Sequence, residues 1–323
     1  MAAIRQQLEG VDLDLMYNVD ETGLLYRGLP SRSYGPSEEY RTARGSKAIK
    51  SKDRVTLTLC CNSTGSHKLP VTMIGKAVQP MCFAGEGNEC PLPYFSQKSA
   101  WTDASIFKRW FDEVFVPAVR ARTRHQVYLI MDNLGCHSSI ANPKVTIIEL
   151  PLNTTAVFQP LDAGIIATLK IGYKKRLLHR VVSNLDALLS SGARDPRVPR
   201  GGGLEGGGHA HLLDAAKFIL EEWNEMPPEQ IVRCWLKADC LPTEANAELR
   251  RQLGGILPVA DNEHMDVSSL VAMMANTTLE HEFEGVSGPD QAQAMRRWLV
   301  AETDVEAIDQ TVDMVLAGAD DEV

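Results

Sequence analysis

The apolar run "VYLIM" at residues 127–131 places the strongest constraint on the fold. Five consecutive residues that favour strands indicate a strand buried in the protein core. The preceding segment, residues 102–122, repeats apolar residues at helical spacing and can be capped by Thr102 or Asp103. Asp132 and Asn133 follow the run directly, so a carboxylate is predicted where this strand reaches the surface.

Other segments of the chain predict further strands and helices around this one. Residues 13–19 favour a strand that ends at Asp20, and a hairpin is predicted on either side of "STGSH". A strand at 144–151 and a long helix that begins after Pro160 follow. This order predicts an α/β fold with a mixed β-sheet flanked by helices and a C-terminal helical extension.

Composition predicts how the chain is divided. A stretch rich in Gly and Pro around 201–208 favours a flexible insertion, and an acidic segment with few aromatics predicts disorder near the C-terminus. The predicted parts are a core at 1–184, an insertion at 185–209, a closing helix pair of the same domain at 210–240, and an acidic, largely disordered tail at 241–323 with short helices at 267–274 and 291–301.

The net charge of −9 is concentrated near the C-terminus. Residues 261–323 contain fifteen Asp and Glu against two Arg, so the rest of the chain carries about +4 and can approach phosphate. The seven cysteines include no CxxC pair, which indicates a reduced, intracellular protein without a zinc knuckle. The chain shows no signal peptide and no membrane span. We expect a nuclear or otherwise cytoplasmic protein that is not secreted and has no membrane partner.

Three aspartates form the candidate site. Asp20 is predicted at the end of the first strand, Asp132 at the end of a later strand, and Asp162 at the start of the long helix. If the two strands are neighbours, the three carboxylates meet, and their mutual repulsion requires protonation or bound cations. Hard oxygen ligands suit Mg²⁺ or Mn²⁺, and two such ions can promote phosphodiester cleavage. No small-molecule cofactor is expected.

Several motifs closely resemble the DDE superfamily endonuclease domain. They are "YNVDETGLLYRGLP", "DNLGCH", "LPLNTTAVFQPLDAGI" and "KLPVTMIGK". This domain occurs in transposases of the pogo and Tigger type and in domesticated relatives of the jerky and centromere protein B families. The resemblance covers roughly residues 15–240, including the helix pair after the insertion.

The resemblance implies an RNase H-like fold and DNA cleavage with two Mg²⁺ ions. Its acidic triad corresponds to Asp20, Asp132 and Asp162 as catalytic residues and metal ligands. The partner it implies is DNA, bound by a homodimer. The family commonly has Pro-Ser between its Asp-Asn pair and the following His, whereas this chain has Leu-Gly-Cys at 134–136. The family also commonly has Gln after its third aspartate, where this chain has Ala163. About a dozen residues precede the first strand, which leaves no room for the family's helix-turn-helix region. We therefore expect a fragment, a mis-started gene model or a degenerate copy.

Other residues have both a functional and a structural interpretation. Asn133 and His137 can orient Asp132 or contact phosphate, or can simply make loop hydrogen bonds. Gln159 can fix its loop or contact DNA, and Asp162 can also cap its helix. A basic helical segment can follow a DNA backbone or form an ordinary solvated face; its residues are Lys170, Lys174, Lys175, Arg176 and Arg180.

Three functions remain open from the sequence. The first is a transposon-derived DDE endonuclease that carries out two-metal phosphodiester cleavage and strand transfer on DNA. The second is a non-catalytic, domesticated or degenerate DNA-binding or chromatin-associated protein that lacks its helix-turn-helix region. The third is a metal phosphohydrolase acting on small molecules, although no segment has the pattern of a nucleotide pocket.

Overall fold

The computed structural model describes residues 1–27, 53–85, 87–133, 140–151, 158–190 and 210–253. Two compact units divide the chain. The first contains Met1–Tyr26, Arg54–Lys170 and Leu212–Ala260, and the second contains Arg27–Asp53, Ile171–His211 and Asp261–Val323. The candidate aspartates all belong to the first unit.

Six described strands form one mixed sheet, which confirms the predicted fold class. In chain order they are β1 (Met16–Leu25), β2 (Arg54–Asn62), β3 (Thr72–Gly75), β4 (Tyr94–Ser96), β5 (Val127–Met131) and β6 (Val145–Glu149). The spatial order is β4-β3-β2-β1-β5-β6. The β1–β2 and β2–β3 pairs are antiparallel, whereas β3–β4, β1–β5 and β5–β6 are parallel.

Helices precede, interrupt and follow this sheet along the chain. The described helices are α1 (Ala2–Gln7), α2 (Ala104–Trp110), α3 (Val116–Arg122), α4 (Ile166–Ser190), α5 (Leu212–Glu225), α6 (Pro228–Ala238) and α7 (Thr243–Gln252). A wide π-helical turn, Phe111–Phe115, joins α2 to α3, and a second one, Leu161–Ile165, leads into α4. The helices predicted at 102–122 and after Pro160 are therefore present, as are the two that follow the insertion.

The aromatic face of α2 forms part of the core of the first unit. Asp103 caps this helix by accepting a hydrogen bond from the backbone N–H of Ile106 at 2.9 Å. Trp110 and Phe115 are buried in the same cluster as Tyr17 of β1 and Leu129 of β5. The rings of Tyr17 and Phe115 meet edge to face, with centroids 5.9 Å apart. This packing fixes β1 and β5, the two strands that lead to Asp20 and Asp132.

Three predicted boundaries differ from the structure. β1 does not end at Asp20 but continues to Leu25, because its antiparallel pairing with β2 extends that far. The stretch 81–98 contains Gly and Pro without apolar periodicity, a pattern that predicts a loop, yet it includes the three-residue strand β4, which pairs with β3. The predicted acidic tail begins at residue 241, yet α7 follows immediately, with Leu249 buried.

Several predictions fall outside the described residues. Most of the insertion at 185–209 and the predicted short helices at 267–274 and 291–301 lie there. Among the helices that the structure describes, none is long and apolar enough to cross a membrane.

Lys68 fastens the β2–β3 connection to the end of α5. Its Nζ donates to the carbonyl oxygens of Trp223 at 2.6 Å, Asn224 at 3.1 Å and Met226 at 2.7 Å. Carbonyls at a helix C-terminus lack intrahelical donors, and a cation there also matches the negative end of the helix dipole. Trp223 reinforces the joint, since its Nε1 donates to the carbonyl of Leu69 at 2.7 Å.

We expect Lys68→Met to lower the free energy of unfolding by about 1–3 kcal/mol, because three carbonyls lose a charged donor. Urea denaturation followed by circular dichroism measures this change. Lys108→Met is the control, since Lys108 is exposed and pairs with Asp112 one turn away, a contact worth at most about 0.5 kcal/mol. Equal losses in the two variants would contradict the role assigned to Lys68.

Candidate active site

Asp20 lies within β1 and is largely buried, with 8% of its surface exposed. Its Oδ1 accepts a hydrogen bond from the backbone N–H of Glu21 at 2.8 Å, and the side chain of Gln159 also bonds to it. Gln159 itself is 1% exposed. The carboxylate of Asp20 therefore lies inside the protein, where water stabilises its charge only weakly.

Asp132 follows β5, the parallel neighbour of β1. The pairing of the two strands sets Met16 opposite Tyr128 and Asn18 opposite Ile130. Carried two residues further, this register sets Asp20 level with Asp132, and adjacent strands are about 4.8 Å apart. Asp132 is half-buried. The sequence-based expectation that these strands are neighbours is confirmed.

Asp162 lies in the wide turn Leu161–Ile165, ahead of α4, and is exposed. Pro160 occupies the N-terminal cap position of this turn, so Asp162 lies in the first turn rather than at the cap that the sequence also allowed. Negative charge is favourable there because of the helix dipole. Gly164 has a φ of 147°, which L-residues with a side chain rarely adopt. The conformation of this turn therefore depends on glycine.

The charges of the other two candidate aspartates act on Asp20. Burial raises the pKa of Asp20 well above its ordinary value, and the charges of Asp162, Asp132 and Glu21 raise it further, in that order. The hydrogen bond from Gln159 acts in the opposite direction. The exposed and half-buried carboxylates therefore act on a buried one, and each added negative charge makes ionisation of Asp20 more costly.

The described side chains do not already form a metal cage. Within the described ranges, no group of three or more His, Cys, Asp or Glu side chains stands at ligating separation. The donors are nevertheless carboxylate oxygens, the type that Mg²⁺ and Mn²⁺ prefer. Among the described residues, the Oε1 of Gln159 is also a buried oxygen without a hydrogen-bond partner. The chemistry of these groups fits a hard divalent cation.

The remaining predicted site residues differ in how exposed they are and in whether the structure describes them. Asn133 is exposed directly after Asp132, and Gln159 contacts Asp20, whereas His137 lies outside the described residues. The five residues of the basic segment lie on α4. Lys170 and Lys174 are each 2% exposed, Lys175 and Arg176 are half-buried, and Arg180 is exposed.

The burial of Lys170 and Lys174 argues against an ordinary solvated face, one of the two interpretations of the basic segment. Positions four apart do share a helix face, but on α4 that face also carries the buried Ile166, Tyr173 and Leu177. Spacing alone does not distinguish the inner face from the outer one. Contact of the five basic residues with DNA stays a prediction.

Two residues that the sequence interpretation missed belong to the site. Asn18 is completely buried and hydrogen-bonds to segments next to Asp132 and Asp162. Gly164 shapes the turn that carries Asp162. The available signals were a polar Asn in the apolar run "LMYNV" and a Gly inside a helical pattern, "LDAGII".

Comparison with known proteins identifies the family of the chain. The family model of the DDE superfamily endonuclease matches residues 52–235, more than half of the chain. The chain belongs to the DDE superfamily endonuclease family. Its six-stranded sheet with flanking helices is the RNase H-like fold of a DDE domain, as the sequence motifs implied.

Relatives of this DDE domain come from animals and fungi. The chain is 31% identical over 240 residues to the Jerky protein homolog of Homo sapiens, which covers 71% of the chain and 37% of that protein. It is 30% identical over 227 residues to Tigger transposable element-derived protein 4 of Mus musculus, covering 69% and 39%. It is 27% identical over 255 residues to CENP-B homolog protein 2 of Schizosaccharomyces pombe, covering 74% and 44%.

The DDE chain spans less than half the length of these relatives. The family match begins at residue 52, so it contains Asp132 and Asp162 but not Asp20. Asp20 is joined to the site by the structure, through the pairing of β1 with β5 and through the charges that act on it.

Proposed function

We propose that this DDE domain is a metal-dependent DNA endonuclease of the transposase type, with Asp20, Asp132 and Asp162 as its catalytic residues and metal ligands. The observation that carries the proposal is the parallel pairing of β1 with β5, which brings Asp20 and Asp132 to neighbouring strands. Asp162 is near enough for its charge to act on the buried Asp20. Like charges brought together in a protein are stabilised by a cation between them. Membership of the family makes DNA the substrate that suits this site best.

Two Mg²⁺ or Mn²⁺ ions would be held by these carboxylates. When bound, such ions supply Lewis-acid activation of the attacking oxygen and charge stabilisation of the leaving oxygen at a phosphodiester. The protein's own part is to fix the ligands. β1 and its bond from Glu21 hold Asp20, the end of β5 holds Asp132, and the turn at Gly164 holds Asp162.

The remaining polar groups have supporting roles in this proposal. Gln159 orients Asp20, and its buried Oε1 has no hydrogen-bond partner among the described residues. Asn133 and His137 follow Asp132 in the chain, where they can orient it or contact phosphate. Water attacks the phosphorus atom of the strand to be cut, and the 3′-oxygen leaves with the electrons of the broken P–O bond. In strand transfer the freed 3′-hydroxyl attacks a phosphorus atom of the target strand, and the 3′-oxygen of that strand leaves with the electrons of the broken P–O bond.

DNA is the proposed partner, and a homodimer on DNA is the proposed assembly. One relative is described as derived from a transposable element and another as a CENP-B homolog. The proposed phosphate contacts are made by the more accessible basic residues of α4, Lys175, Arg176 and Arg180, whereas Lys170 and Lys174 are buried. Such contacts weaken as salt increases, because bound counterions are released. A nuclear location follows from this role.

Plasmid nicking tests the proposal. The purified chain is expected to nick supercoiled DNA with Mg²⁺ or Mn²⁺ and to stop when the metal is chelated. An Asp132→Ala variant, purified in the same way, controls for contaminating nucleases. If the wild type cuts no faster than this variant, the proposed activity is refuted.

A second function is a DNA-binding or chromatin-associated role without cleavage. It is favoured by the match to a CENP-B homolog as well as to a protein derived from a transposable element. Salt-sensitive DNA binding without nicking would support this second function. An absence of DNA binding at low salt would count against both functions for this chain.

A further inference from the structure

Asn18 is a buried amide at the centre of the acidic site. It lies in β1, two residues before Asp20, and is 0% exposed. Residues i and i+2 of a strand share a face, so the amide and the carboxylate are on the same side of the sheet. Asn18 is not one of the three proposed metal ligands.

The amide of Asn18 joins β1 to two other segments. Its Nδ2 donates to the carbonyl oxygen of Ile130 at 3.0 Å, and its Oδ1 accepts from the backbone N–H of Leu161 at 3.0 Å. Ile130 lies two residues before Asp132, and Leu161 lies one residue before Asp162. One side chain therefore holds the backbone beside all three acidic residues.

Few other side chains could make this connection. An amide offers a donor and an acceptor together, whereas a carboxylate offers only acceptors and an aliphatic group offers neither. The N–H of Leu161 opens a helical segment, where backbone donors have no intrahelical partner. Leaving it and the Ile130 carbonyl unpaired in the interior would be costly.

The two hydrogen bonds of the Asn18 side chain also oppose the electrostatic repulsion among the three carboxylates. The three carboxylates repel one another in the metal-free protein, and this repulsion tends to separate the segments that carry them. A neutral side chain can resist that separation without adding charge to the site. Residues that hold metal ligands in position through hydrogen bonds commonly affect the affinity for the metal.

We propose that Asn18 is a positioning residue that sets the relative placement of Asp20, Asp132 and Asp162. The effect on cation binding rests on the proposed function, whereas the fastening of the three segments does not. Two measurements on the full chain therefore separate the two ideas.

The first measurement is amide hydrogen exchange of the metal-free protein. Asn18→Ala is expected to speed exchange in peptides covering 128–133 and 158–166 by at least about fivefold, because both segments lose a hydrogen bond. Asn18→Ser is the second variant, to be used if the alanine protein does not fold. Wild-type exchange rates in both segments would overturn the proposal.

Asn62→Ala is the matched control. Asn62 is also 0% exposed and makes several hydrogen bonds, but it pairs across the sheet with Tyr17, on the opposite face from Asn18. Its bonds run to Asp14, Ser66 and the N–H of His67. The proposal requires that this control leave exchange at 128–133 and 158–166 unchanged, and equal effects of the two variants would overturn it.

The second measurement is Mn²⁺ binding, followed by electron paramagnetic resonance. Asn18→Ala is expected to weaken Mn²⁺ affinity by about 10–100-fold, and Asn62→Ala to leave it unchanged. Unchanged affinity in Asn18→Ala would overturn the positioning role. A wild type that binds no Mn²⁺ would instead overturn the metal site of the proposed function, and the exchange data would still decide whether Asn18 fastens the segments.

Discussion

Asp20→Asn is expected to reduce cleavage strongly and yet to stabilise the metal-free protein. The substitution removes a proposed metal ligand, so nicking should fall by about 10²–10³-fold, since each 1.4 kcal/mol of lost transition-state stabilisation is a factor of ten. The amide can still accept the hydrogen bond from Glu21, which Asp20 receives at 2.8 Å. It carries no charge, so burial and the charges of Asp162 and Asp132 no longer penalise it.

The stabilising effect of Asp20→Asn should depend on pH. The pKa of Asp20 is raised in the folded protein, so the folded state binds this proton more tightly than the unfolded state does. The wild type is then most favoured below the unfolded pKa of about 3.9, and it loses that stability as pH rises through the folded pKa. The advantage of the asparagine variant should therefore grow with pH and then level off.

Urea denaturation from pH 4 to pH 8 with a chelator present measures this difference. The gain above the folded pKa should be about 1–3 kcal/mol, the typical penalty for a poorly compensated buried group. Asp112→Asn is the control, because Asp112 is exposed and pairs with Lys108, and it should change stability little at any pH. An asparagine variant that is less stable than the wild type at pH 8 would show that Asp20 is not electrostatically strained.

Gly164→Ala is expected to reduce both stability and cleavage. Gly164 has φ 147° and ψ −11°, and an L-residue held in such a region costs roughly 1–3 kcal/mol. An added Cβ would also lie 3.2 Å from the Sγ of Cys234 in α6. Relief of this strain moves the turn that carries Asp162, so nicking should fall by about tenfold or more even where the protein remains folded.

Two further variants separate the causes in Gly164→Ala. Gly10→Ala also places alanine at a positive φ, 71°, with nothing within 4 Å of the new Cβ, so it should destabilise without affecting cleavage. Adding Cys234→Ala to Gly164→Ala removes the steric contact but keeps the backbone strain. Full recovery in that double variant would show that the crowding, and not the backbone conformation, was responsible. Unchanged cleavage in Gly164→Ala would contradict the role of the turn.

Much of the fold could be predicted because its main elements have strong local patterns. The aromatic periodicity of residues 102–122 and the apolar run of β5 correspond to packed elements of the core. The second half of β1 had no such pattern, since Asp20, Glu21 and Gly23 interrupt it. It remains extended because it pairs with β2, whose partner residues lie 29 to 37 positions further along the chain (Leu25 with Arg54, Glu21 with Thr58). The strand β4 is too short to give a period.

The site was predictable to the extent that acidic residues follow strands within specific motifs. Asp20, Asp132 and Asp162 were predicted in this way, and the charges of Asp162 and Asp132 act on Asp20. Their role as metal ligands stays a prediction. Asn18 could not be assigned, because its two partners are backbone groups more than 100 residues away. Likewise, the inner position of Lys170 depends on tertiary packing that a local charge pattern does not contain.

The contact between Gly164 and Cys234 has a consequence for synthesis on the ribosome. The turn that carries Asp162 is covered by α6, whose Gln230 also hydrogen-bonds to Thr168 at 3.4 Å. A nascent chain that has emerged only as far as α4 already contains every acidic residue of the site but not the helix that covers this turn. The turn that carries Asp162 therefore reaches its packed environment only after residues 228–238 emerge.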